Sequence, residues 1–285
     1  MTLFGFSLVL FAAVCHASWN FLVKRIEAGP ELVFLFSAMS TLVYLPLALW
    51  YGRDIIGFEP IHYLFLFGTV ILHTGYFVQL QTGYRHGDLS LVYPTARSTG
   101  PLLSVSFAVL VLGEQASVQA IAGGVLIVFG VLMLGGGLKA RRGDGTLKSL
   151  GFGLTVGCFI GAYTVWDAYA VAHLAIAPVL MDWFSNLGRT MIMTPVALRR
   201  RAALRLLWKN HWLEALLVGI ISPLAYILVL YAMTFTPVLY VAPLRETSVL
   251  LAVLLGAIVL KEGDLKRRLK WAVVIVTGVT LLATG

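Results

Sequence analysis

Apolar residues run in near-continuous blocks along this chain, separated by short polar or basic stretches. The blocks predict helices over 2–23, 31–51, 61–82, 88–112, 117–137, 149–172, 178–198, 211–234, 237–260 and 269–284. Most are about 20 residues long, enough to cross a hydrocarbon core of roughly 30 Å, although the last is short. The runs are continuous rather than alternating, which argues against lipid-spanning barrel strands. The gaps are too short for a soluble domain. The first run has no basic stretch before its apolar core and carries Trp19 and Asn20 at its far end. It therefore reads as a retained membrane helix rather than a signal peptide.

Composition agrees with a lipid-embedded chain. Hydrophobic residues make up 59% of the sequence and charged residues only 12%, where soluble domains carry about twice that charge. The basic residues cluster in alternate gaps. Lys24 and Arg25 follow helix 1, Arg85 follows helix 3, and Lys139, Arg141, Arg142 and Lys148 follow helix 5. Further clusters follow helices 7 (Arg199 to Lys209) and 9 (Lys261 to Lys270), whereas the opposite gaps hold Arg53 alone. The positive-inside rule puts the basic side in the cytoplasm and both termini outside. The net charge of +8 is then a topology signal. Short loops offer no folded basic surface for nucleic acid, so the lipid bilayer is the expected partner. The stretch RRRAALRLLWKN reads as a short helix lying on the anionic leaflet.

The second half of the chain echoes the first. YPTARS (93–98) is matched by APLRET (242–247), and VLGE (111–114) by VLKE (259–262). Arg97 to Arg245, Glu114 to Glu262 and Gly130 to Gly278 share one offset. GFSL and GFGL, and Trp19-Asn20 and Trp166-Asp167, pair at slightly shorter offsets. The expected units are a five-helix repeat over 1–138, a basic cytoplasmic linker over 139–148, and a second five-helix repeat over 149–285. Five is odd, so the second copy enters the membrane from the opposite side. The fold class is all-α integral membrane: ten transmembrane helices as two inverted-topology repeats around a central cavity. Secondary transporters use this plan, with the substrate held near the midplane.

On these residues the chain resembles the drug/metabolite transporter superfamily, in its EamA-like ten-helix branch. The likeness rests on the five-plus-five repeat, the Pro-x-x-Arg and Pro-x-Arg phrases of helices 4 and 9, and the LGE and LKE endings. Within the branch it looks most like the YddG-type amino-acid exporters. The resemblance implies a monomeric basket around a central cavity in the plasma membrane, bacterial inner membrane by analogy. It implies export of amino acids, including aromatic ones, or of related small metabolites. Small multidrug relatives carry an acidic residue in helix 1 for proton exchange, and residues 1–23 hold none. That points to facilitated, gradient-driven export.

Intramembrane polar residues mark where such a cavity would lie. Ser90, Tyr93, Arg97, Pro101 and Ser104 share one face of helix 4. A charge deep in the bilayer costs about 3 kcal/mol or more, so this face should turn inward. Pro94 and Pro101 each remove a backbone donor, a break tolerated beside a cavity or against protein. Arg245 and Ser248 give helix 9 a similar face. Arg97 and Arg245 have two competing roles, pairing with Glu246 or freed carbonyls to lock the halves, or holding a substrate carboxylate. The structural role is preferred, because a transporter must release its cargo. Helix 3 offers Thr69, His73, Tyr76, Leu80 and Tyr84 on one face, with Gln79 beside it. On helix 6, Gly153, Gly157 and Gly161 form a packing ridge. Tyr163 and Trp166 point the other way and are expected in the cavity. Trp19 is the repeat counterpart of Trp166 near the inner end, with Asn20 beside it, and both tryptophans are candidate gates. Asp167 is the more plausible proton-sensitive group. Asp182 reads as an interfacial residue; Arg189 shares its helix face about 10 Å along the axis, so a direct bond needs a long reach or a water. Glu114, Glu262 and Tyr84 read as helix-end or gate residues.

Other classes find little support. The chain has no phosphate-binding loop for ATP and no H-E-x-x-H motif. Cys15 and Cys158 stand apart, so no metal or cofactor is expected. An intramembrane enzyme is a distant alternative. A nucleotide-sugar or phosphate-type carrier, or a multidrug carrier, of the same fold is nearer. The phosphate-type carrier would need several arginines converging on phosphate.

Overall fold

A computed structural model describes residues 1–26, 29–53, 55–86, 89–134, 146–251 and 265–285. The described residues form ten α-helices and no strand. They are α1 (Leu3–Ile26), α2 (Pro30–Tyr51), α3 (Pro60–His86), α4 (Leu89–Leu110) and α5 (Val118–Leu134), then α6 (Thr146–Ala172), α7 (Pro178–Arg199), α8 (Arg201–Met233), α9 (Val238–Arg245) and α10 (Leu265–Thr284). Prolines open α2, α3 and α7, where a missing backbone donor costs nothing.

By length and composition, five of these helices can cross a membrane: α1, α2, α3, α6 and α8. The apolar stretches Val118–Met133 of α5 and Leu269–Thr284 of α10 are shorter. Buried charges lie on α4 (Arg97), α6 (Asp167), α7 (Asp182 and Arg189) and α9 (Arg245).

The basic stretch before the eighth run is helical, in line with its reading as a short helix, and His211, with φ −138° and ψ 28°, kinks α8 between it and the apolar span. One element differs from the expected runs. The ninth run is broken. α9 stops at Arg245, Glu246 N bonds Pro243 O at 3.0 Å, and Val249 N bonds Glu246 O at 2.9 Å. These tight three-residue bonds flank a one-residue break at Glu246, after which helical backbone resumes over 247–251. Pro243 supplies no backbone donor, which loosens the ladder there. The break leaves Arg245, Glu246 and Ser248 grouped deep in the protein.

Pairing runs across the halves. α1 packs along α8 and α3 along α6, while α2 packs on α7 and α5 on α10. Helix 6 approaches α4 through its glycines. A Cβ on Gly153 would stand 2.6 Å from the Thr95 Cβ, and one on Gly157 would stand 2.5 Å from the Thr99 Cβ. At the α5–α10 crossing, a Cβ on Gly123 would lie 2.5 Å from Leu282 N, and one on Gly278 would lie 2.8 Å from Gly123 O. No larger residue fits without moving a backbone. Gly157→Leu is expected to cost about 1–3 kcal/mol by overpacking. The check is the melting midpoint of the detergent-purified protein, with Gly151→Leu as control, since a Cβ on Gly151 would meet nothing within 4 Å.

Candidate functional site

A small cavity of about 90 Å³ lies where α1, α3, α4, α6, α7, α8 and α9 meet. Its walls include His16 and Trp19 from α1, His73, Tyr76 and Phe77 from α3, Arg97 from α4, and Tyr163 from α6. The far side brings Asp182, Asn186 and Arg189 from α7, Tyr226 from α8 and Arg245 from α9. Aromatic rings pack the wall between these charges. His73 stacks on Tyr163 at 4.2 Å between ring centres, and Tyr76 meets Tyr163 edge-on at 5.7 Å.

The charges form separate groups. In the first, Glu246 is wholly buried between two arginines. Arg97 Nε lies 3.1 Å from Glu246 Oε2, and Arg245 Nε lies 3.7 Å from Glu246 Oε1. Arg97 Nη2 also donates to Ser248 Oγ at 3.2 Å, and Arg245 Nη2 to Thr164 Oγ1 at 3.5 Å. Trp19 donates its indole N–H to His16 Nδ1 at 3.3 Å. On the other side of the ring, His16 Nε2 lies 3.5 Å from Arg97 Nη2, so the imidazole bridges the Trp19 indole and the guanidinium.

The second group centres on Asp167, whose Oδ2 accepts from Tyr226 Oη at 2.5 Å and lies 2.9 Å from His73 Nε2. Asp167 is fully buried behind the wall, and its Oδ1 has no hydrogen-bond partner among the described residues. This carboxylate orients His73, and His73 backs the Tyr163 ring.

The third group lies along one face of α7. Asn186 Nδ2 donates to Asp182 Oδ2 at 2.9 Å, and Arg189 Nη1 donates to Asn186 Oδ1 at 3.4 Å. Arg189 also reaches Ser37 Oγ (3.4 Å) and Ser185 Oγ (3.3 Å), and its guanidinium covers the Phe77 ring at 4.1 Å. No carboxylate forms an ion pair with it among the described residues.

Residues 3–136 and 147–284 each match the model of the EamA-like transporter family. The chain belongs to the EamA-like transporter family. Its members are integral membrane transporters rather than enzymes. The fold recurs in solved proteins. One crystal structure aligns over 98% of this chain and 96% of its own, with a TM-score of 0.75 at 16% identity. No curated protein matches the chain by sequence.

Within this EamA-like transporter, the cavity gathers Trp19, His73, Tyr76, Tyr163, Arg97, Arg189 and Arg245 from the sequence candidates. Others lie elsewhere. Trp166 lines a groove on the outer side of α4 and α6, where its indole donates to Phe65 O at 2.9 Å and stacks on the Phe65 ring. Gly68 makes room for that indole, since a Cβ there would stand 2.3 Å from it. Asn20 turns back to donate to His16 O at 2.7 Å on its own helix. Tyr93 packs against the core, and Gln79 is half-buried; neither lines the cavity. Glu114 caps α9, its two oxygens accepting from Val238 N and Leu239 N at 3.0 Å each. Glu262 and the side chain of Tyr84 lie outside the described residues.

Asp182 corrects the sequence reading. Read as interfacial, it is 6% exposed in the cavity wall, and the side chain that links it to Arg189 is Asn186. Its position near the start of a run suggested the membrane surface. Packing of α7 against α2 and α3 carries it inward. Asn186, Tyr226, Phe77 and His16 also enter the site without having been selected. The i, i+4, i+7 spacing of Asp182, Asn186 and Arg189 was a readable helical face. Tyr226 sits in a largely apolar run whose few polar residues marked no face.

A larger cleft of about 480 Å³ lies between α2, α3 and α7. Phe77 and Arg189 line both it and the central cavity. Its mouth carries Arg200, paired with Glu31 at 3.3 Å. α2 packs on α7 but not substantially on α3, which leaves the cleft between them.

Proposed function

We propose that the protein is a secondary transporter that exports amino acids, including aromatic ones, or related small metabolites. It works by alternating access and without proton coupling, in the manner of the YddG-type exporters it resembles. On this reading the five-helix repeats span 1–138 and 149–285, the linker 139–148 is cytoplasmic, and both termini face out. The chain acts as a monomer in the plasma membrane, a bacterial inner membrane by analogy. The observation that supports this most is the central cavity itself, where aromatic rings and buried charges of both signs share one small space. An amphipathic solute with an aromatic side chain and a charged head fits that lining.

At about 90 Å³ the cavity is smaller than a working ligand pocket. The described state is therefore contracted, and cargo enters when Phe77 and Arg189, which stand between the cavity and the cleft beside it, move apart. That cleft opens toward the basic loops, so this state would face the cytoplasm. A phosphate-type carrier is the weaker reading, because Arg97 and Arg245 already share Glu246.

Counterflow in proteoliposomes against a panel of amino acids, sugars and sugar phosphates tests the reading. Aromatic amino acids should exchange, equally with and without a pH gradient. Exchange of phosphorylated solutes alone would contradict it. Tyr163→Ala should lower exchange about tenfold while leaving the yield of monodisperse protein unchanged, since the ring lines the cavity and backs His73.

A further inference from the structure

Arg189 is the cavity's one arginine whose described partners are all uncharged. Arg97 and Arg245 each face the Glu246 carboxylate. Arg189 is 7% exposed, its Nε has no hydrogen-bond partner among the described residues, and it lines both the central cavity and the adjoining cleft. Two turns earlier, Asp182 also lines the cavity and has no cation within ion-pair distance among the described residues. A buried cation and a buried anion thus stand on one helix face, each without an ion-pair partner among the described residues. Burying charges this way is costly unless something completes them.

Asn186 fills the space between them. Its oxygen accepts from Arg189 at 3.4 Å and its amide nitrogen donates to Asp182 at 2.9 Å. The amide presents an acceptor to the cation and a donor to the anion. An α-amino acid presents its carboxylate and its ammonium in that order, also side by side. Charge-assisted bonds of about 2.8 Å at each end would span a gap of similar size.

We infer that Asp182 and Arg189 form the subsite for the zwitterionic head of an α-amino acid, with the Asn186 amide standing in for that head when the site is empty. The inference rests on the amino-acid reading above and gives it a head-group position. The carboxylate pairs with Arg189 and the ammonium with Asp182. The side chain of the cargo then lies among Phe77, Tyr76, Trp19 and Tyr163. Both charges of the cargo are needed, because either one alone leaves a buried group of the protein unmatched.

Three probes separate the charges: L-phenylalanine, phenethylamine with the ammonium alone, and 3-phenylpropionate with the carboxylate alone. The full chain in detergent should be thermally stabilised by phenylalanine, with at least tenfold weaker apparent affinity for each single-charge analogue. In counterflow, Asp182→Asn should shift preference at least tenfold toward phenylpropionate relative to phenylalanine. Arg189→Gln should shift it toward phenethylamine. A merely structural network would lower all three ligands in parallel, and that outcome overturns the inference. If a variant does not fold, the wild-type ranking decides alone, and equal binding of the three probes rejects the subsite. Exchange of amino acids without a two-charge requirement rejects the subsite and leaves the amino-acid reading standing. No binding or exchange of any amino acid rejects both.

Discussion

Replacing Glu246 with leucine is expected to destabilise the protein by about 3–5 kcal/mol, the largest stability loss of any single change in the cavity wall. Glu246 is completely buried, and both Arg97 and Arg245 depend on it for charge balance. Without it, two guanidinium groups are left in a low-dielectric interior with only hydroxyl and aromatic neighbours. The loss should appear as a lower melting midpoint and a reduced monodisperse yield. Adding Arg97→Met should recover part of it, because one unmatched cation is then removed along with its partner. No recovery in the double variant would mean that Arg97 and Glu246 are not coupled. The pair joins α4 of the first half to the broken helix 9 of the second. Its loss should therefore loosen the contact between halves and not just one helix.

The second large effect is expected at Asp167. Asp167→Leu should lower exchange more than tenfold, because Tyr226 loses its acceptor and His73 loses the group that orients it. The Tyr163 ring that rests on His73 is then free to shift. Leaving buried hydroxyl and imidazole groups unsatisfied costs about 1–3 kcal/mol each. Asp167→Asn is the informative partner, since an amide oxygen still accepts from Tyr226. Under facilitative transport it should keep most of the exchange and respond to a pH gradient as the parent does. If Asn loses exchange as fully as Leu, and a proton gradient drives accumulation in the parent, then Asp167 carries a proton and the facilitative reading fails.

Much of this architecture was legible in the sequence because lipid simplifies the code. A run of apolar residues of one length has one interpretation, and α2, α6 and α7 lie within three residues of their expected bounds. Glycines spaced by four on α6 announced a close approach, and α4 provides it. Helix 9 was harder. Pro243 permits either a kink or a stop, and only the surrounding contacts choose the stop at Arg245. Trp166 shows the limit of helical phase. It lies three residues from Tyr163, about 60° around the axis. That rotation is enough to place one ring in the cavity and the other over Gly68 on a different surface. Periodicity ranks residues by face but does not name the neighbour each face meets. Asp182 illustrates the same point, since its face could be read but its destination inside the protein could not.

The central claim is that cargo crosses through the hollow enclosed by the two halves. Blocking that hollow tests it most directly. Ala225 is buried in its wall, whereas Ala162 lines the outer groove beside Trp166. Counterflow of L-phenylalanine should then be measured for Ala225→Phe and Ala162→Phe at matched amounts of monodisperse protein in liposomes. The expected result is exchange near background for Ala225→Phe and near the parental rate for Ala162→Phe. Parental exchange through a plugged Ala225→Phe, or loss confined to Ala162→Phe, would place the path outside the central cavity and contradict the account.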